Sequence, residues 1–438
     1  MEPPSPRSPP PEPAPGRAGL ANPWWIPPIL GRVPVGVERQ HLSLLGAVAF
    51  ALLFEDYDLA MITSVLPEIS TAFGVAEPDL PFYLALVRLG SLPALLLIPF
   101  ADRVGRRRAF LASLLVSSLG TVATGFAWSI ESFVAFQMVV RTAFVVGTAT
   151  AYVLISEEFP AHRRGWGMGV LAALGASGYG LAALLFSQIE HLPYGWRFLY
   201  WVGAVPLLCF PIFRRTIPET GRFARHSANR KVPFRWREAL EPLRLLVTGS
   251  PWRFLGISVC ISALGFAAVA PFQFTAYYTR TVLGWSPGEF AAMVIVGGGM
   301  GIVGNVVAGS LGDRIGRRWV GTGCMLGFPA FVALFYWGPA WAVWPAWIGF
   351  VFTSSGGRMI LRAFSTELFA TDRRGTATGW VVLLETLWAA GGLFLLFLVS
   401  DQEGDLARYT PVLALATVVA GAVLLLFPET RSRDLDTI

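Results

Sequence analysis

Apolar runs of roughly 20 residues, parted by short polar breaks, recur from about residue 42 to the C-terminal region. Read as helices, they are Leu42–Phe73, Leu80–Ala101, Ala109–Ala127, Ser132–Ser156, Trp166–Ile189, Arg197–Phe213, Trp252–Tyr278, Glu289–Gly312, Trp319–Trp337, Trp341–Phe364, Thr376–Ser400 and Tyr409–Phe427. Runs this long exceed the buried helices of soluble proteins. The pattern therefore predicts an all-α polytopic membrane protein with twelve transmembrane helices, numbered here as spans 1 to 12.

Composition agrees. The 438 residues are 54% hydrophobic and only 14% charged, with a mean hydropathy of +0.57. Twelve spans of about 20 residues need about 240 mostly apolar positions, close to the supply. Three cysteines exclude a disulfide-dense scaffold. So few charges exclude a disordered chain or a nucleic-acid partner despite the net charge of +6.

Charge sets the expected orientation. Of 34 Lys and Arg, 27 lie in the termini and the loops after spans 2, 4, 6, 8 and 10, while the opposite loops hold Arg197, Arg280 and Arg408. The positive-inside rule then makes both termini cytoplasmic, with plasma membrane as the expected location. Residues 1–40 are proline-rich at their start and are expected to form a disordered cytoplasmic tail. Trp337, Trp341, Trp344 and Trp347 are expected in an interfacial belt.

Three elements occur twice at nearly one offset. Asp102-Arg103-Val104-Gly105-Arg106-Arg107 returns 211 residues later as Asp313-Arg314-Ile315-Gly316-Arg317-Arg318. Glu157 through Arg164-Gly165 returns 210 later as Glu367 through Arg374-Gly375, and Pro218-Glu219-Thr220 as Pro428-Glu429-Thr430. The chain is thus expected to hold two homologous six-helix bundles, residues 41–213 and 252–428. A basic cytoplasmic loop (214–251) joins them and a short tail (429–438) follows. Parallel repeats of this kind face each other across a midplane site and alternate access by rocking.

These residues resemble the major facilitator superfamily. PFADRVGRRR and its echo AGSLGDRIGRRW look like that family's cytoplasmic signature, and SEEFPAHRRG, GWRFLYWVGAVP and IPETGRF stand where the family has similar motifs. The terminal FPETRSRDLDTI points to the branch of sugar porters and metabolite/proton symporters. The glycine that the family places four residues before the signature aspartate is present as Gly309 but replaced by Ile98 in the first half. By resemblance, a cytoplasmic gate would gather Asp102, Arg103, Gly105, Arg106, Arg107, Glu157, Glu158, Arg164 and Glu219 in the first half. Asp313, Arg314, Gly316, Arg317, Arg318, Glu367, Arg374 and Glu429 would do so in the second. Their Arg–Glu pairs would lock the halves together when the carrier faces outward.

Charges inside the bilayer are the functional candidates, because each costs about 2.5–3.5 kcal/mol at its centre. Asp58 lies about 24 Å along a helix begun at Leu42, Glu55 one turn back, and Arg141 at a similar depth in span 4. FEDYDLAMITSVLP resembles the first span of the aromatic-acid and metabolite/proton symporters, in which the acid matching Asp58 is tied to proton coupling. Arg141 resembles their span-4 arginine, at 16 residues before Glu157 where about 20 is usual, a deficit of one turn. Glu55, Asp58 and Arg141 are therefore the expected proton-coupling residues. Burial favours the protonated form of Asp58, and a nearby Arg141 favours the carboxylate. An anionic substrate that takes over Arg141 would let proton and substrate load together. A static ion pair fastening spans 1 and 4 is the other reading.

Substrate contacts are expected from Arg141, Arg88, Gln273, Tyr277, Glu385 and Arg358. Gln273, Tyr277 and Tyr278 resemble the sugar porters' Asn followed by Tyr-Tyr, yet Ala267 and Ala268 stand where that family has paired glutamines. The leading expectation is a secondary active transporter: proton-coupled symport of a small organic acid or related metabolite by alternating access, monomeric in the lipid bilayer. It would be driven by the proton motive force without cofactor, metal or enzymatic activity. Sugar or polyol symport, drug efflux and a non-transporting sensor are the alternatives.

Overall fold

The computed structural model describes residues 20–219, 248, 251–367 and 374–429. All regular structure among them is helical. Span 1 is Arg39–Ser64, continued past Val65 as Leu66–Phe73. Pro67 accounts for the interruption: it has no N–H to donate, and its ring crowds the carbonyl one turn back. Span 2 is Leu80–Leu89 and Ala94–Val104, broken before Pro93, and span 6 is broken between Trp196–Trp201 and Phe210–Thr216. Spans 3, 4 and 5 are Arg106–Gly125, Ile130–Glu158 and Arg164–Phe186.

The second half repeats the plan. Span 7 is Pro251–Gln273, followed by a short turn and a π-helical stretch, Tyr278–Val282. Spans 8 to 11 are Pro287–Ile315, Arg317–Trp337, Val343–Glu367 and Arg374–Val399, and span 12 is Asp405–Ala414 with Ala416–Leu424. Ten of the twelve are long and apolar enough to cross a membrane. The other two, spans 1 and 10, carry Glu55, Asp56 and Asp58, and Arg358 and Arg362.

Packing follows the repeat. Span 1 lies on 5, 3 on 4 and 2 on 4; their counterparts are 7 on 11, 9 on 10 and 8 on 10. The halves meet along spans 2 with 11 and 5 with 8, which the same pairing exchanges. Glycines bring helices close where acids must be held. A Cβ on Gly178 of span 5 would strike the backbone of Leu53 and Tyr57, and one on Gly265 of span 7 would lie 2.8 Å from the Glu385 carbonyl oxygen. Spans 2 and 4 approach closely at Gly90, where a Cβ would lie 2.5 Å from the Met138 Cα, and Ile98 packs in a cluster that includes Val146 of span 4.

The end of the bundle bearing the repeated motifs is termed the motif end, its opposite the far end. Among the described residues, the polar and aromatic contacts between halves gather at the far end. Arg280, closing span 7, forms an ion pair with Glu68 of span 1 and sits 5.2 Å over the Phe186 ring. Glu77 accepts the Gly404 N–H at 3.2 Å and bonds the Tyr277 hydroxyl. Phe82 meets Phe397, and Phe186 meets Phe290, at ring separations of 5.2 and 5.6 Å.

Two expectations are corrected. Residues 20–38 are folded, whereas a disordered tail was expected to residue 40: Ile26, Val33 and Val37 are buried against Phe110, Phe159 and Phe213 at the motif end. Asn22 closes this segment by donating to the Gly31 carbonyl at 2.8 Å and accepting the Val33 N–H at 2.9 Å. Residues 1–19, most of the 214–251 loop and residues 430–438 lie outside the described residues. Trp347 is no belt residue: at 5% exposure it donates to the Met293 carbonyl at 2.7 Å and fits against Gly297, clamping span 10 to span 8. Trp337, Trp341 and Trp344 are exposed.

Candidate functional site

The first half builds a polar interior around span 1. Asp58 is 1% exposed, and its Oδ1 accepts hydrogen bonds from Thr121 Oγ1 at 3.0 Å and Gln137 Nε2 at 3.3 Å. Gln137 also bonds Thr124 at 3.2 Å. Thr121 belongs to a stripe of buried hydroxyls on span 3 (Ser113, Ser117, Thr121 and Thr124) that faces the acids. Glu55 accepts from Thr148 Oγ1 at 2.7 Å and rests against Gly147, where any side chain would displace it.

Asp58 and Arg141 do not form the ion pair that equal depth implied. Arg141 is buried and within electrostatic reach of Asp58, but its Nε has no hydrogen-bond partner, and Asp58 is held by Gln137 instead. The physical reason is the register of span 4. Gln137 lies one turn nearer the far end than Arg141 on the same face, and Asp58 is level with that turn. The short spacing between Arg141 and Glu157 is the same displacement seen in the sequence.

Between the halves, Arg88 of span 2, Arg141 of span 4, Tyr179 of span 5, and Arg358 and Glu385 of spans 10 and 11 share one electrostatic neighbourhood. Arg358 and Glu385 form an ion pair across spans 10 and 11. The Arg88 side chain makes no hydrogen bond or ion pair, so it pairs with none of the span-1 acids. Two guanidiniums thus converge on a partly accessible centre without a carboxylate bonded to either. Asp56, pointing away from Asp58, lies beside Gly175 of span 5 and within reach of Tyr179.

Gln273 is buried at the end of the long helix of span 7, with its Nε2 unpartnered. Tyr277 stands apart from the arginines, in the far-end contact with Glu77. Tyr278 is fixed by donating to the Tyr336 carbonyl at 3.0 Å.

At the motif end, Arg106 pairs with Glu157 at 3.2 Å, within the first half. Glu219 accepts the Arg107 N–H at 3.3 Å, and the Arg107 guanidinium bonds the Arg214 carbonyl. In the second half Glu429 accepts the N–H groups of Arg317 at 2.9 Å and Arg318 at 3.2 Å, and Arg317 pairs with Asp313 at 3.4 Å. Each of these contacts joins elements of one half. The two Pro-Glu-Thr glutamates act as carboxylate caps on the first turns of spans 3 and 9. Gly105 and Gly316, at φ 110° and 121°, turn the chain into those helices. Arg164 bonds the Phe159 carbonyl at 3.3 Å, and among the described residues Glu158 makes no hydrogen bond or ion pair. Arg314 is likewise without an ion pair. The side chains of Asp102, Arg103, Glu367 and Arg374 lie outside the described residues.

Sequence reasoning missed Gln137, Thr121, Tyr179 and the Glu68–Arg280 pair. Gln137 was signalled by its place four residues before Arg141, and Thr121 by the i, i+4 hydroxyls of span 3. Tyr179 carried no local signal, because its neighbours come from four other spans.

Two six-helix halves, a charged centre buried between them and, among the described residues, contacts between the halves gathered at one end are the features of a carrier of small solutes. Residues 48–393 match the Major Facilitator Superfamily, and the chain belongs to that family of multi-pass membrane transporters. It is 23% identical to the niacin transporter NiaP of Acinetobacter baylyi, over 93% of this chain and 98% of that protein. It is 26% identical to the cis,cis-muconate transport protein of the same organism, over 92% of this chain and 98% of that one. Among solved structures, a D-xylose-proton symporter superposes with a TM-score of 0.71 at 19% identity, covering 90% of this chain and 99% of that chain.

Proposed function

We propose that this transporter is a proton-coupled symporter of a small organic anion, an aromatic or unsaturated carboxylic acid, working by alternating access. The observation that carries the reading is the pair Arg88 and Arg141, two guanidiniums without a bonded carboxylate among the described residues, of which Arg141 stands one turn from the residue that holds the buried acid Asp58. A substrate carboxylate supplies the missing partner, and a charge-assisted bond to Arg is the strong, geometrically selective kind. Once substrate holds Arg141, the field that favoured the Asp58 carboxylate is neutralised and the acid takes a proton. Proton and substrate then cross together. The niacin and muconate transporters among its relatives carry acids, which supports the same class.

The basic loops support a cytoplasmic motif end and cytoplasmic termini. In that orientation, the far-end contacts among the described residues correspond to an inward-facing conformation. Plasma membrane location, a monomer in lipid and a proton motive force acting without cofactor complete the reading.

Uptake into proteoliposomes with an imposed inward proton gradient tests it. Labelled nicotinate or cis,cis-muconate should accumulate above equilibrium, and a protonophore should abolish the excess. Accumulation of xylose with neither acid, or extrusion of the acids, would overturn it.

A further inference from the structure

A second polar feature lies behind the arginine centre, inside the first half. A cavity with room for about one water molecule opens among spans 1, 3, 4 and 6. Its polar lining is Glu55, Ser117, Ser118 and Thr121. Glu55 is 5% exposed and its Oε1 has no hydrogen-bond partner. Ser118, also buried, makes no side-chain hydrogen bond. Thr121, on the same wall, donates to Asp58 Oδ1 at 3.0 Å. Thr121 therefore stands between the two acids, on the side turned away from Asp56 and the substrate centre.

The charges facing these acids are few. Glu55 has Asp56 beside it and Thr148 on span 4, with no basic group. Asp58 has Arg141 on span 4 and the phenols of Tyr57 and Tyr200. A carboxylate buried without a counter-charge is costly, and a proton is the smallest partner that relieves it.

We propose that Glu55 is a second proton-binding site, linked to Asp58 through Thr121 and a water in this cavity. The inference rests on the proton-coupled reading above and adds that the proton has a route separate from the substrate. In the transfer, the Thr121 hydroxyl first rotates its proton from Asp58 to the water, and the Asp58 O–H bond then breaks as its proton passes to the Thr121 oxygen. Thr121 gives its own proton to the water, and a water proton forms the new O–H bond at Glu55 Oε1. One proton leaves Asp58 and one arrives at Glu55, with water and threonine restored. Glu55 lies one turn nearer the motif end, beside the Ser113 hydroxyl, so the transfer moves the proton toward that end.

Infrared spectroscopy of the purified full-length protein tests this without any substrate, at a pH lowered until both acids are loaded, by following buried protonated carboxyl bands after transfer to heavy water. The wild type should show two such bands, one lost in Asp58→Asn and the other in Glu55→Gln. Glu55→Gln and the cavity-filling Ser118→Val should each slow deuteration of the Asp58 band about tenfold or more, the effect of raising a barrier by about 1.4 kcal/mol. Unchanged Asp58 exchange in both variants, or no band removed by Glu55→Gln, overturns the Glu55 site alone. No band removed by Asp58→Asn overturns the proton-coupled reading on which it rests.

Discussion

Gln137 Nε2 donates to Asp58 Oδ1 at 3.3 Å, one helical turn from the arginine that would otherwise be the acid's natural partner. Asp58 is thereby parked beside Arg141, near enough to feel its charge and not bonded to it. A carrier benefits from this arrangement because Arg141 stays available to an anion.

The first prediction concerns that parking. Gln137→Leu should leave Asp58 with Thr121 alone and cost about 1–3 kcal/mol of stability, the penalty for a buried polar group losing a partner. Thermal unfolding in detergent measures the loss. If Asp58 then turns to Arg141, the affinity for the transported acid should fall as well, which binding calorimetry reads.

Asp58→Asn keeps the hydrogen-bonding shape and removes the titrating group. Uphill accumulation should vanish, while exchange of labelled for unlabelled acid across the membrane persists. The pH dependence of exchange should flatten. Accumulation that survives in Asp58→Asn would show that the driving proton binds elsewhere.

Arg280 and Glu68 tie the halves at the far end, and both are mostly buried. Glu68→Gln or Arg280→Gln should shift the carrier toward the state open at that end. A loss of about 1.4 kcal/mol corresponds to a tenfold change in the ratio of the two states. Thiol labelling of a cysteine placed in span 7 near the far end should rise accordingly. The exchanged pair Glu68→Arg with Arg280→Glu should restore the wild-type ratio.

At the motif end, Gly316→Ala introduces a Cβ at φ 121° and 2.5 Å from Glu429 Oε2. It should destabilise the protein by about 1–2 kcal/mol through the backbone alone. Glu429→Ala removes the cap on span 9 and should cost about 0.5–2 kcal/mol. The two effects should combine to less than their sum, since they disturb one contact. Melting temperatures of the single and double variants provide the check.

Which features were legible in the sequence follows from how far each signal reaches along the chain. Helix number, the two-half repeat and the buried acids are written in runs of twenty residues or less, where hydropathy and period suffice. The Glu55–Asp58 turn is local too, since two residues three apart on a helix must share a face. Even the displaced register of Arg141 is present, as a short count to Glu157.

Tertiary structure decided the partners. Whether Asp58 meets Gln137 or Arg141 depends on the height at which span 4 is set against span 1, while Gly178, on a third helix, seats span 1 by its contact with Leu53 and Tyr57. Arg88, Tyr179, Arg358 and Glu385 come together only because four helices from two halves tilt toward one centre. The Pro-Glu-Thr glutamates look like gate charges in sequence, yet the chain returns them to the first turns of spans 3 and 9, where free N–H groups compete for them. A sequence states which charges the membrane has been made to admit; the packing of helices several hundred residues apart determines which of them remain available to a substrate.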